Sequence, residues 1–457
     1  MTPNQRTIDS KPIPFMDRRA AIGRSLQYAA LTLSMPTWAA FENQSSQETL
    51  VPFLDMPRTR PNRLDWEMLT DWITPQDQVF NVQHYGMPEI DLDAFRLTLD
   101  GLVNKPTVLG MDQIRSMPKM EQLMTLECSG NGSSKGFMDA VYNSRWGGTP
   151  LAPLLQQCQP SSEATEVVFY GADTKEEVLR PGTNRELKIE VPFGRSMTLK
   201  EAMALPLLLA YERNGAPMEH RNGAPLRLIV PGYYGVANVK WLTRIELRDR
   251  RYMGRYMARD YVTVRAREQD GEIIHEETSV GRMNLKSIIA RVTQRPLGQG
   301  KVALRAYGAA WGDGTPIERV EVQLNDGAWQ QARWDESSQT SPYCWRFFWM
   351  DLGEVGPGDH TLISRAIDQK GRIQPSAEDD EIALKKTYWE AYASGPAKYA
   401  LSHKPALRQV LASTQSKADQ PQRRQITVKG LCGRAPSLSQ HLYLRVGSRV
   451  QEGLMNL

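Results

Sequence analysis

The chain has 457 residues, 40% of them hydrophobic and 24% charged, with 56 Lys plus Arg against 52 Asp plus Glu. That length allows two or three domains, and the composition is that of a globular protein. A net charge of +4 is too small for this length to point to a nucleic-acid or anionic-membrane partner. No run approaches the ~20 apolar residues of a membrane helix. The four cysteines, Cys128, Cys158, Cys344 and Cys432, contain no C-x-x-C pair. This argues against a zinc ribbon, thioredoxin chemistry and covalently attached c-type haem.

At the N-terminus Arg18-Arg19 precede a mildly apolar run, 20–33, and small residues around Ala39. Residues 1–40 therefore read as a twin-arginine export signal, which places the protein in the periplasm; an amphipathic helix is the alternative. Residues 41–77 carry Pro52, Pro57, Pro61 and Pro75 and read as an extended leader that wraps a core rather than building one. From 78 to 284 short strands mix with helical pieces. Residues 95–99 alternate as a strand and run into the turn signal Asp100-Gly101. The apolar run 123–126 leads into Glu127-Cys128-Ser129-Gly130-Asn131-Gly132, a loop where backbone can approach a ligand closely. A short helix is expected before Pro206 and a strand at 225–230.

The texture changes at 285–394. Segments 302–307, 320–324, 345–349 and 360–367 are short and often alternating, and Asn325-Asp326-Gly327 is a hairpin turn. Val320, Val322 and Leu324 would share one face, and Trp345, Phe347 and Trp349 repeat the device. Such strands suggest an immunoglobulin-like β-sandwich, so the fold class is α+β: a mixed α/β domain followed by that sandwich. Residues 395–457 are polar and basic and read as a weakly ordered tail.

Four positions carry candidate chemistry. Cys128 opens a glycine-containing loop behind a charged Glu127, as a soft thiolate ligand requires; a buried small hydrophobe is the bland reading. His84 suits a ligand or a hydrogen-bonded structural role. Arg227, between Leu226 and Leu228, and Lys240, before Trp241, each need an anion, either an internal carboxylate or a bound phosphate.

Taken together the chain resembles the sulfite oxidase family of molybdopterin oxidoreductases. Four stretches carry the resemblance. They are Phe80-Asn81-Val82-Gln83-His84 with Pro88-Glu89-Ile90-Asp91; Thr125-Leu126-Glu127-Cys128-Ser129-Gly130-Asn131; Trp146-Gly147-Gly148-Thr149-Pro150-Leu151; and a fourth from Leu208 through Asn222-Gly223, Pro225-Leu226-Arg227 and Val239-Lys240-Trp241. The resemblance implies a cofactor domain and a dimerisation domain, hence a homodimer. It implies molybdenum on one pyranopterin, with Cys128 as the metal's protein thiolate. Phe80, Asn81, Val82, Gln83, His84, Asp173, Asn222, Arg227, Asn238, Val239 and Lys240 would cradle the pterin and its phosphate, and Tyr261 would be the active-site tyrosine or else a packed aromatic. The reaction implied is oxygen-atom transfer to a reduced sulfur compound. With no haem motif in this chain, electrons would pass to a c-type cytochrome.

Departures bear on the substrate. Where the family has arginines, this chain has Val82, Ser133 and Ala237, and Asn222 stands in place of a histidine, with His220 displaced by two. A cationic pocket is what a sulfite dianion needs, so the pattern looks closer to a sulfane dehydrogenase subunit acting on sulfur carried by a partner protein. Lys135, Arg145, Arg195 and Arg255 are candidates to restore the charge, or else solvated surface groups. The competing readings are a periplasmic sulfoxide reductase-like molybdoenzyme, which the carboxy-terminal sandwich disfavours, and a non-catalytic binding protein on the same fold.

Overall fold

The computed structural model describes residues 48–51, 64–69, 71–131, 139–299, 301–336, 341–356, 358–375 and 422–428. The expected export signal, and the tail apart from 422–428, lie outside these residues. Strands dominate. The four α-helices among the described residues, Met111–Ser116, Leu151–Gln157, Leu199–Ala204 and Arg255–Ala258, are short pieces of one to two turns between strands. The expected mixed α/β character thus resolves into sheets with helical connectors. The helix before Pro206 is one of them. The Thr198 hydroxyl caps it by accepting from the Glu201 amide at 3.2 Å, and it ends where the coming proline disfavours helical backbone.

Two sheets build the first region. One is antiparallel, in the order Arg227–Ile229, Leu208–Arg213, Val141–Pro150, Met120–Glu127. Side chains alternate across it. Leu126, Tyr142, Trp146, Ala210 and Ile229 lie in one apolar cluster with Phe80, while Val141, Leu209, Leu226 and Leu228 belong to the main core on the other side. The alternation puts Arg227 on the Tyr142 face. The second sheet runs Thr107–Leu109, Leu97–Gly101, Leu242–Arg248, Glu166–Leu179, Leu187–Thr198. Its one parallel pair joins Leu97–Gly101 to Leu242–Arg248. Leu97, Leu99, Ile245, Val167 and Phe169 face the same main core.

The carboxy-terminal region is two further sheets around a shared core. One runs Thr49–Val51, Lys286–Gly298, Lys301–Trp311, Arg346–Val355, Arg333–Trp334; the other runs Gln330–Gln331, Ile317–Leu324, Gly358–Asp368, Gln422–Val428. Val292, Leu304 and Phe348 of the first meet Val320, Val322 and Leu362 of the second. The alternation expected at 320–324 is observed. At 345–349 Trp345, Phe347 and Trp349 do share a face, against the main core, but the opposite face is covered as well. Trp345 and Phe347 enter the main core and Phe348 and Met350 the carboxy-terminal one.

Two further expectations change. The leader does build core: Leu64, Trp66, Leu69 and Trp72 are buried in the main cluster. Its irregular backbone is satisfied by side chains. The Trp72 and Trp345 indoles donate to each other's carbonyls at 3.1 and 3.0 Å, and Asn143 Nδ2 donates to the Trp72 carbonyl at 3.0 Å. Within the tail, Gln422–Val428 pairs antiparallel with Gly358–Asp368 as an edge strand.

Candidate active site

Cys128 follows directly on the strand Met120–Glu127, is half-buried and takes part in no disulfide. Its amide donates to the Ala140 carbonyl at 2.9 Å, and its carbonyl accepts from the Asn131 amide at 2.9 Å, so the chain turns sharply there. Glu127 points the opposite way along the strand and anchors the turn from behind. Its Oε1 accepts from Lys286 Nζ at 2.8 Å and from Asn131 Nδ2 at 3.0 Å, and its Oε2 from Trp311 Nε1 at 2.9 Å. Lys286 and Trp311 belong to the carboxy-terminal region, so both regions fix the backbone that carries the thiol. Burial pushes the Lys286 ammonium down and the Glu127 charge opposes that.

Cys128 lines a cleft of about 640 Å³, part of it open to solvent. On one side His84 Nε2 and the Tyr261 hydroxyl share a hydrogen bond of 2.6 Å. The imidazole stacks on Phe193 at 5.1 Å and meets Tyr256 edge-on at 4.5 Å. Burial, then the charges of Lys240 and Arg195, pull His84 down to about 4, so it is neutral at pH 7. Arg195 is itself buried, and donates to the carbonyls of Tyr256 and Val280.

At the other end lie two cations, Arg227 buried and Lys240 half-buried, with only neutral hydrogen-bond partners among the described residues. Arg227 donates to the carbonyls of Asn222 and Asn238 at 2.9 and 3.3 Å, with its guanidinium 5.1 Å from the Trp146 ring. Lys240 donates to Asn81 Oδ1 and to the carbonyls of Val82 and Arg221 at 3.0 and 2.9 Å. Burial drives its ammonium well below the usual lysine range, reinforced by the charge of Arg227. Gly223 makes this placement possible. It adopts φ +110°, and a Cβ there would lie 3.0 to 3.1 Å from the Lys240 backbone and side chain. Asp173 sits where the pairing of Glu166–Leu179 with Leu187–Thr198 breaks between Tyr170 and Thr174, and the break turns it into the cleft. Burial raises its carboxyl to about 6, and its Oδ1 has no hydrogen-bond partner among the described residues.

Phe80, Asn81, Val82, Gln83, His84, Cys128, Asp173, Arg227, Asn238, Lys240 and Tyr261 thus all line one cleft. Asn222 and Val239 do not. Asn222 is buried beneath the cleft and supports Arg227 through its carbonyl, and Val239 packs in the main core. His220 is held by the Pro88 carbonyl at 2.8 Å, a structural position. Of the cations considered as replacements, Arg145 pairs with Glu121 at 3.1 Å on the surface and Arg255 with Asp260 at 2.5 Å. Ser133 and Lys135 lie outside the described residues. Tyr142, Phe193 and Trp241 also line the cleft, and sequence reasoning did not single them out. Strand alternation from Leu126 and Trp146 carries a signal for Tyr142; Phe193 and Trp241 have none beyond being aromatic.

The residues present fit a molybdopterin. The two cations without carboxylate partners suit a phosphate, the unpartnered Asp173 oxygen suits ring N–H donors, and the half-buried thiol suits a soft metal. Among the described residues no cluster of three or more His, Cys, Asp or Glu could hold a metal by protein ligands alone.

Comparison with known proteins gives the following. The profile of the oxidoreductase molybdopterin binding domain matches residues 84–256, and that of the Mo-co oxidoreductase dimerisation domain matches 277–389. Mitochondrial sulfite oxidase of Homo sapiens is 29% identical over 332 residues, 68% of this chain and 58% of the human protein. Sulfite oxidase of Arabidopsis thaliana is 28% identical over 344 residues, 67% of this chain and 84% of the plant protein. The sulfane dehydrogenase SoxCD from Paracoccus pantotrophus aligns in structure with a TM-score of 0.59 at 23% identity, covering 86% of this chain and 92% of that one, a likeness of fold.

Proposed function

Because this chain belongs to the sulfite oxidase family of molybdopterin oxidoreductases, we propose that it catalyses oxygen-atom transfer to a reduced sulfur compound and passes the electrons to an external cytochrome. The observation that carries this reading is the single cleft uniting the Cys128 thiol, the Asp173 carboxyl, Arg227 with Lys240, and the His84–Tyr261 pair. When bound, a molybdenum pterin supplies two-electron oxygen-atom transfer. The chain's own residues do the rest. Cys128 would hold the metal, Arg227 and Lys240 would offset the phosphate, and Asp173 would accept from the pterin ring. His84, kept neutral, fixes the Tyr261 hydroxyl facing the cleft, where it can hydrogen-bond a substrate oxygen.

The substrate we favour is sulfur carried on a partner protein rather than free sulfite. Val82 is at the cleft and Ala237 beside it, where the resemblance leads one to expect arginines, and Phe193 and Val236 add apolar wall. Such a mouth does little to offset the desolvation of a free dianion. We further propose that the carboxy-terminal sheets form an immunoglobulin-like sandwich through which two copies pair, and that the protein is exported by the twin-arginine route.

The test is protein matured in a molybdenum-sufficient host, assayed for metal and pterin, then for reduction of cytochrome c by sulfite and by a persulfide-bearing carrier. Cys128→Ser should lose the activity and most of the metal. Retention of both by that variant overturns the assignment, and a preference for free sulfite overturns the substrate class.

A further inference from the structure

We propose that the end of the cleft beside Arg227 holds a phosphate-binding subsite built on Tyr142 and Arg213. It rests on the functional reading above only for the source of the phosphate, not for its binding. Arg213 ends the strand Leu208–Arg213 and is 3% exposed. None of its three guanidinium nitrogens makes a well-aligned hydrogen bond among the described residues, and the group nearest to accepting one is the Tyr142 hydroxyl. Its cross-strand neighbour Trp146 has the same defect, with a buried indole N–H and no acceptor. Tyr142 precedes Trp146 by four residues on the same strand face and lines the cleft. Its hydroxyl lies beside both the Arg213 and the Arg227 guanidinium groups, and its ring lies 5.9 Å from the Arg213 Cζ.

Two positive charges thus converge on one tyrosine hydroxyl at the cleft wall, with no carboxylate bonded to either arginine among the described residues. The acid nearest in influence is Glu219, but its carboxylate is taken up by Gln76 at 2.7 Å and Arg221 at 2.5 Å on the surface. A buried guanidinium without an anion is costly, and an apolar side chain of similar size would serve the fold better. Such an arrangement becomes favourable once an anion with several acceptor oxygens arrives, and a phosphoryl group is matched to guanidinium donors in shape and charge. Arg227 would then contact the phosphate directly and Tyr142 would donate its O–H, while Arg213 acts through Tyr142 as a positioning residue and a second charge.

The experiment uses cofactor-free full-length protein and inorganic phosphate at constant ionic strength, read by calorimetric titration and by melting temperature. Arg213→Met should weaken phosphate binding by about threefold to tenfold, through loss of a nearby buried charge and of its hold on Tyr142, while leaving the ligand-free melting temperature unchanged or higher. Tyr142→Phe should weaken it by about threefold to tenfold. Arg145→Met, on the surface, should do neither. If Arg213 is only structural, Arg213→Met melts earlier and binds phosphate as before; that result, or no binding by the wild type, overturns the proposal. If Arg213→Met fails to fold, an unchanged affinity in Tyr142→Phe overturns it equally. Pterin retention on dialysis of the loaded protein then names the source. A loss in Arg213→Met assigns the subsite to the cofactor's phosphate, and unchanged retention with weakened phosphate binding assigns it to free phosphate. Binding by the cofactor-free chain needs no molybdenum, so a failure here and a failure of the functional reading are distinguishable.

Discussion

Replacing Lys286 with Met tests how the carboxy-terminal region supports the thiol. The ammonium lies 2.8 Å from Glu127 Oε1, with side chains 5% and 0% exposed. Met keeps the volume and removes the charge, so the Glu127 carboxylate stays buried with only Trp311 and Asn131 as donors. Breaking a buried pair from one side costs about 3–5 kcal/mol, and the two surviving donors argue for the low end, about 3 kcal/mol. Adding Glu127→Gln removes the stranded charge and should recover at least ~2 kcal/mol of that loss, a coupling a double-mutant cycle reads directly. Urea unfolding followed by tryptophan fluorescence is the assay, with the midpoint moving and the slope constant. A loss below about 1 kcal/mol for the single variant, or a double variant as unstable as the summed singles, refutes the reasoning.

His84 makes stability fall with acid. Its folded value of about 4 lies below the ordinary 6.5, so on lowering the pH the unfolded chain takes up the proton first. The contribution is complete above pH 6.5 and declines through the window down to pH 4, by about 3 kcal/mol in all; His84→Gln should flatten that slope in denaturant titrations. In cofactor-free native protein a maleimide should label Cys128 well before Cys158 and Cys344, which are buried, the Cys344 thiol being pushed up to about 12; peptide mapping reads the order. Gly148→Ala should lower stability by about 2–3 kcal/mol, because a Cβ there would strike the Leu209 carbonyl across the strand pair; a melting temperature within a degree of wild type would contradict this.

Much of the cleft is legible in the sequence. Cys128, at the head of a glycine-containing loop, and Arg227, in an apolar strand, each break a local rule in a way that admits a ligand beside the bland reading, and both line the cleft. Asn222 and Val239 were placed there by alignment alone, and periodicity could have separated Val239, whose neighbours Asn238 and Lys240 face the opposite way. The leader's part in the core is not legible in the sequence, because prolines signal irregular backbone and say nothing about whether Trp66 and Trp72 are buried. Trp345 and Phe348 were hard to place for a related reason. A strand covered on both sides carries apolar residues at odd and even positions, so alternation cannot show which neighbour each will meet. Lys286 and Trp311 lie more than 150 residues from Glu127, and no local signal links them.

The strand Arg346–Val355 has a practical consequence for anyone wishing to cut the molecule into pieces. One row of side chains on and just before it, Trp345 and Phe347, plugs the first half, and the alternate row, Phe348 and Met350, fills the second. A fragment ending near residue 284 would lose that plug, leaving an open hole and the Trp72 carbonyl without its indole donor. The excised remainder would display the same rings to water. Neither half is a transplantable module, and fusion or truncation schemes should carry both.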